Sequence, residues 1–278
     1  MFRRTQNHNR SRIPGRLILA VVIALISVAS YMSTSSKNPV TGETQRVALS
    51  TDEEIILGLQ ARPAMARQFG GFDPDAGARE RIDSIGKKLT SVGFARSTPY
   101  KFDFHLLADP QTVNAFALPG GQIFITRALY DQLKTEDQLA GVLAHEIGHV
   151  VERHSAEQMA KAQLTSGLTT AAVVATYDQD SGASRGAAMA ALVGQLVTMK
   201  FGRADELESD EWGVRLTSKA GYDPRAMIDV MEILARAAGT NRPPEFLSTH
   251  PTSENRIARI REAIARNSPE QVSDSASW

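Results

Sequence analysis

Apolar residues recur along this chain at three spacings, and each spacing predicts a different kind of element. The first is an unbroken run, LILAVVIALISVASYM over residues 17–32, with no polar position returning often enough to give a solvent face. It is an export segment, longer than many signal-peptide cores and short of the roughly 20 apolar residues that span a bilayer comfortably. The second spacing is helical. Ser50 and Thr51, followed by acids, open a helix with Ile55, Ile56, Leu59, Met65 and Phe69, which Pro63 is expected to kink or divide. Residues 75–92 put Ile82, Ile85 and Leu89 on one face, and residues 139–154, LAGVLAHEIGHVVERH, align Leu139, Val142, Leu143, Ile147 and Val150. A capping box at Thr135-Glu136-Asp137-Gln138 starts that helix, which should be partly buried. The third spacing is alternation. Phe102, Phe104 and Leu106 alternate with Asp103 and His105, a half-buried strand with His105 facing outward, and residues 113–117 and 122–126 form two short strands around Leu118-Pro119-Gly120-Gly121.

The later chain reads as helices. Residues 155–176 form one, rich in Ala, Gly and Thr, residues 180–184 a loop, and residues 187–201 a second; together they make a helical hairpin near the cleft, as core packing or as a lid. An acidic helix start at 203–213 is closed by Gly221, Asp223-Pro224 opens a helix to residue 238 with Met227, Val230, Met231 and Leu234 inward, and residues 241–244 form a loop. A terminal helix covers 253–265. The pattern divides the chain into a basic leader at 1–16, an anchor or signal peptide at 17–32, a polar linker at 33–50, one domain at 51–266 and a disordered tail at 267–278.

Composition and charge narrow the function. Lys plus Arg and Asp plus Glu balance at 31 each, so there is no basic field for nucleic acid. The absence of cysteine removes disulfides, thiolate ligands and a thiol nucleophile, so any metal is held by His and carboxylate. Arg3, Arg4, Arg10, Arg12 and Arg16, with no acid among residues 1–16, keep the leader in the cytoplasm and send the rest across the membrane. Val28-Ala29-Ser30 offers a cleavage site; the long basic leader and the continuation through Tyr31 and Met32 favour an uncleaved anchor.

The chemistry sits in His145-Glu146-xx-His149. On a helix, histidines four apart share a face and can hold a single zinc, while Glu146 beside them can take a proton from a metal-bound water and so generate a nucleophile for peptide hydrolysis. Two histidines need a third protein ligand, and a carboxylate from another helix is the commonest choice. Glu206 is assigned to that place, with Glu208 as the competitor facing away, and Asp210, one turn on from Glu206, accepts the free ring N–H of a ligating histidine. His250, in Ser248-Thr249-His250-Pro251, is open to three roles: donating to the oxyanion of the tetrahedral intermediate, occupying the open metal position as a latch, or lying on a surface loop. His154 at the helix end complements the C-terminal dipole. Asn114, Ala115, Phe116 and Ala117 form either an ordinary hairpin strand or an edge to which an extended polypeptide can pair.

With these residues in place the chain resembles the zinc metallopeptidase family that includes the HtpX heat-shock protease, the CaaX prenyl protease and soluble periplasmic relatives. The resemblance covers about 51–266 and rests on NAFALPGG at 114–121, His145-Glu146-Ile147-Gly148-His149, Glu206-xxx-Asp210, and Thr249-His250-Pro251 followed by Asn255-Arg256. It implies one zinc per chain on His145, His149 and Glu206, with Glu146 as general base and His250 in the active site. It also implies Asp210 as partner of a ligand and the segment around Asn114 as the substrate edge. The several spanning helices and the tetratricopeptide repeats of other branches are missing, so the chain looks like a minimal single-domain envelope type. The expectation is a mostly helical α+β, zincin-like metalloprotease domain with a small sheet and a hairpin edge strand beside the metal helix. It would be tethered on the periplasmic side, or soluble there after cleavage, and act on unfolded or misassembled envelope proteins. The competing reading is a latent zinc-containing holdase or assembly factor that grips extended chains.

Overall fold

The computed structural model describes residues 15–176, 194–196, 199–238, 244–251 and 255–267. Helix α1 (Gly15–Ser33) leads into an antiparallel hairpin of β1 (Ser35–Lys37) and β2 (Thr44–Arg46). Helices α2 (Thr51–Gln68) and α3 (Ala76–Thr90) precede β3 (Asp103–Leu107), and β4 (Ala115–Leu118) and β5 (Gln122–Thr126) form a second hairpin. The short α4 (Arg127–Tyr130) is followed by α5 (Glu136–Val151), α6 (His154–Thr176), α7 (Arg203–Ala220), α8 (Ala226–Ala238), α9 (Phe246–Thr249) and α10 (Arg256–Asn267). The described chain is therefore mostly helical with a small three-stranded sheet and a two-stranded one.

Helix α5 is the element the others pack around. Thr135 caps it by accepting from Gln138 N–H (3.2 Å), and Glu136 and Asp137 in its first turn complement the helix dipole. Only half of the expected capping box forms, because the Gln138 side chain accepts instead from Lys134 N–H (2.7 Å). Every residue from Gln138 to Val151 is buried, more than the one-sided stripe predicts. The reason lies in its neighbours: Leu139, Leu143 and Ile147 share a core with Ile82 and Leu89 of α3, Ile123 and Ile125 of β5, Leu216 of α7 and Leu234 of α8. Helix α7 crosses α5 closely because glycines face the contact. A β-carbon on Gly148 would stand 2.9 Å from Ser209 Cα of α7, and one on Gly213 would stand 3.5 Å from His145 N of α5. That approach carries Glu206 and Asp210 to the histidines.

The larger sheet has the order β3-β5-β4, with β3 parallel and β4 antiparallel to β5. Central β5 is buried along its whole length, and β4 lies at the edge with Ala115 opposite Ile125 and Ala117 opposite Ile123. The turn joining them puts Gly120 and Gly121 at φ of +81° and +107°, where a side chain would be strained and, at Gly120, would meet Ile55 Cα at 2.4 Å. Asp75 caps α3, and Ile82, Ile85 and Leu89 are buried as expected. Met227, Val230, Met231 and Leu234 of α8 also face inward.

Three expectations change. Helix α2 runs unbroken through Pro63; that residue is exposed, as is Leu59 one turn earlier, so water can take the carbonyl that proline leaves unpaired. Ile56 and Leu59 face solvent, and Glu54, Gly58, Ala61, Met65 and Ala66 make the buried face. Residues 33–50, read as a polar linker, are folded: Asn38 Nδ2 donates to Val151 O (2.9 Å) and Gln45 Nε2 to Glu152 O (2.6 Å) at the end of α5. Their polarity serves helix carbonyls rather than water. Helix α6 packs along α1, Ser27 against Gly167, and most of the second helix expected to pair with it in a hairpin lies outside the described residues. Leu196, Met199 and Phe201 join a core with Met65, Phe69 and Met159. The basic leader through residue 14, the loop at 180–184, most of the helix expected at 187–201 and of the loop at 241–244, and the tail at 268–278 lie outside the described residues. Helix α1 is long and apolar enough to cross a membrane, and Ala20 is its one buried residue.

Candidate metal centre

Two turns of α5 bring His145 and His149 onto one face, with ring Nε2 atoms 3.1 Å apart. Helix α7 adds Glu206, whose Oε2 lies 3.6 Å from His145 Nε2 and whose Oε1 lies 3.5 Å from His149 Nε2. His250, just beyond α9, puts Nδ1 3.0 Å from Glu206 Oε1 and 3.4 Å from His145 Nε2. Each of the four offers one donor atom, all within 4.8 Å of one another, and all four residues are buried. Among the described residues, Glu206 Oε2 and His250 Nε2 have no hydrogen-bond partner, nor has either oxygen of Glu146, which is fully buried. Buried polar atoms without hydrogen bonds are costly, and a divalent cation answers three nitrogen donors and a carboxylate. This donor set fits a metal ion.

The supporting shell is charged and ordered. Asp210 Oδ1 accepts from His145 Nδ1 (3.0 Å), as the spacing from Glu206 predicts. Arg256 of α10 donates to both Asp210 oxygens (2.8 Å each) and sets Nη1 2.7 Å from Glu206 Oε2, though not aligned for a hydrogen bond. Burial works to raise Asp210, but the Arg256 charge and hydrogen bonds outweigh it and hold the carboxyl at about 2. Glu206 is likewise held below the usual carboxylate range, the charges of His250, His145 and Arg256 outweighing its burial. Glu146 moves the other way: burial raises it despite His250, 3.7 Å from its Oε1, and His145. His149 is lowered well below the usual imidazole range by burial and by the neighbouring histidines. Burial lowers His250, but Glu206 and Glu146 more than reverse this and leave it raised.

The structure thus gathers His145, Glu146, His149, Glu206, Asp210 and His250. His250 is fully buried, not on a surface loop, and α9 reaches the sheet through Phe246 N–H to Val113 O (3.1 Å), next to the predicted edge. On that edge Asn114, Ala115 and Ala117 are buried, Phe116 stacks on Phe124, and Asn114 Oδ1 has no hydrogen-bond partner among the described residues. Glu208 stays outside the cluster, and His105 pairs with Gln122 (3.0 Å) away from it.

Sequence reasoning gave His154 a dipole role, and the structure buries it against His149, ring nitrogen to ring nitrogen at 2.9 Å. Arg153, at φ +59°, turns the chain sharply after α5 and is held by Glu54 (2.7 Å from Nε) and Leu49 O (2.7 Å). In the sequence Arg256 stands only as part of the Asn255-Arg256 motif. A buried cation more than 40 residues from its acids gives no local spacing to read; the surplus of buried carboxylates in the candidate site was the available signal.

A buried His-Glu-xx-His helix completed by a carboxylate from a second helix defines a metal-capable hydrolase-type centre. Residues 77–264 match the model of Peptidase family M48, and the chain belongs to that family. It is similar to the "Beta-barrel assembly-enhancing protease" of Escherichia coli strain K12, 32% identical over 284 residues that take in 99% of this chain and 56% of the relative. It is also similar to the "Mitochondrial metalloendopeptidase OMA1" of Schizosaccharomyces pombe, 38% identical over 182 residues, 65% of this chain and 51% of that one. The chain therefore spans about half the length of these curated relatives.

Proposed function

We propose that this protein is a zinc metalloendopeptidase, with one zinc per chain held by His145, His149 and Glu206 in a zincin-like domain covering about 51–266. The observation that carries the reading is Glu146: fully buried, neither oxygen hydrogen-bonded among the described residues, and beside His250 of the donor cluster. When bound, zinc supplies a Lewis acid that polarises the scissile carbonyl and acidifies water. Glu146 takes the proton of the attacking water and delivers it to the leaving nitrogen; its raised pKa brings it nearer the range where a carboxylate can do both. Asp210, fixed by Arg256, holds His145 with its proton on Nδ1 and Nε2 free for the metal. Extended polypeptide pairs with the edge strand β4 around Asn114 to Ala117.

His250 sets the state of this site. Its Nδ1 is within the donor cluster, so four side chains stand where a working zinc centre keeps one position open. This favours the latent form of the enzyme, opened when His250 swings away and its ring becomes free to donate to the oxyanion. The same closure supports the competing reading of a zinc-containing holdase that binds extended chains without cutting them. The name of the Escherichia coli relative, a protease that enhances β-barrel assembly, supports misassembled envelope proteins as substrates, and α1 fits an anchor that, with the arginines before it held in the cytoplasm, leaves the domain on the periplasmic side.

The test is digestion of an unfolded protein such as casein by the zinc-loaded protein. The parent, or His250→Ala if the parent is latent, should cleave, and Glu146→Gln should lose at least about 100-fold while retaining zinc. Cleavage by Glu146→Gln at the parental rate would remove the mechanism; zinc binding with no cleavage by any variant would favour the holdase.

A further inference from the structure

The histidines of the donor cluster differ in what holds their outer nitrogens. Asp210 receives His145 Nδ1–H directly (3.0 Å). Among the described residues no carboxylate reaches His149 Nδ1; the atom facing it at 2.9 Å is Nδ1 of His154, whose other nitrogen, Nε2, lies 3.2 Å from Glu208 Oε2. We propose that His154 is a positioning residue for the metal site, passing the orienting role of the Glu208 carboxylate through its ring to His149.

The inference rests on the zinc reading above, and the proton inventory then follows atom by atom. A ligating Nε2 on His149 carries no proton, so the proton of that neutral ring is on Nδ1, which donates. Nδ1 of His154 must accept, so the neutral His154 ring carries its proton on Nε2 and donates to Glu208. Each bond in the chain fixes the next. Ser209 Oγ, 3.3 Å from His154 Nδ1, is a longer and competing contact. His154 is almost fully buried while the Glu208 side chain is half exposed, so the solvated carboxylate sits outside and the neutral ring relays inward. Direct burial of a second acid beside His149 is avoided in a cluster that already buries Glu146, Glu206 and Asp210.

The local fold serves this arrangement. His154 lies five residues beyond His149 and would fall off its face on a continued helix. Helix α5 ends at Val151, and Arg153 in the left-handed conformation returns the chain so that His154 opens α6 against His149. Glu208, the residue between Glu206 and Asp210 that faces away from the cluster, meets it from α7.

The experiment measures zinc affinity of the full-length protein by competition with a chromogenic chelator, with thermal unfolding of the metal-free form as the folding control. His154→Leu keeps bulk but cannot accept, and should weaken zinc about 10- to 100-fold with little change in metal-free Tm. His154→Asn places a carbonyl oxygen where Nδ1 now sits, and should restore affinity to within about threefold of the parent. An His154→Leu affinity within threefold of the parent, or His154→Asn as weak as His154→Leu, overturns the relay. If His154→Leu does not fold, Glu208→Leu decides: a loss of about 3- to 10-fold supports the relay, and an unchanged affinity overturns it. A parent that binds no zinc overturns the metal reading itself, and the relay with it.

Discussion

Asp210 shows how one residue's environment becomes a measurable property. Its carboxyl is held at about 2 against an ordinary value of 3.8, burial being outweighed by Arg256 and by the hydrogen bond from His145. A carboxyl lowered on folding contributes stability that is fully present above its ordinary value and is lost as pH falls through the folded one. The interval corresponds to about 2 kcal/mol. Urea unfolding of the metal-free protein should therefore show this component intact at pH 5 and disappearing between about pH 4 and pH 2. Asp210→Asn, less stable at neutral pH, should lack that part of the decline; an equally steep decline in the variant would assign it elsewhere. The sequence made Asp210 legible because Glu206 lies one helical turn before it. His154 and Arg256 were not legible in the same way, since their partners come from other helices and no periodicity links them.

At the scale of the element, the α5–α7 crossing decides whether the donors meet. Gly148 stands where any β-carbon would press on Ser209 backbone, at 2.9 Å from Cα and 3.0 Å from the carbonyl oxygen. Backbone cannot step aside as a flexible side chain can. Gly148→Ala should cost about 1–3 kcal/mol by thermal unfolding, despite alanine's better helix propensity, and should also weaken zinc binding because α7 carries Glu206. A stabilised variant with unaltered zinc affinity would contradict the close packing. The pattern that predicted α5 identified its stripe of Leu139, Val142, Leu143, Ile147 and Val150 and missed that the opposite faces are buried too. Glycine and histidine read as polar or neutral positions, and only the neighbouring helices turn them inward.

For the whole molecule, the hairpin after α1 ties the apolar helix to the metal helix. Asn38 and Gln45 supply partners to the carbonyls of Val151 and Glu152, and Arg153 reaches Leu49 O and Glu54 from the same end. Removing residues 1–48 should cost about 2 kcal/mol more than removing residues 1–33, which takes away only the α1 packing on α6, roughly 1 for each helix carbonyl deprived of its side-chain partner. Equal midpoints for the two truncations would return this segment to the status of a linker. What the sequence by itself determined was the local chemistry: the unbroken apolar run of α1, the spacing that puts His145 and His149 on one face, the acid pair Glu206 and Asp210, and the turn at Gly120-Gly121. These are properties of neighbours within one helical turn or one hairpin, where covalent geometry dictates which side chains share a face. The tertiary structure alone decided that His250 enters the donor cluster, that Arg256 neutralises its acids, that His154 turns back on His149 and that a polar linker becomes part of the fold. Three of these depend on segments far apart in the chain approaching within a hydrogen bond, a distance set by how the helices pack, and the return of His154 depends on the left-handed turn at Arg153 between α5 and α6.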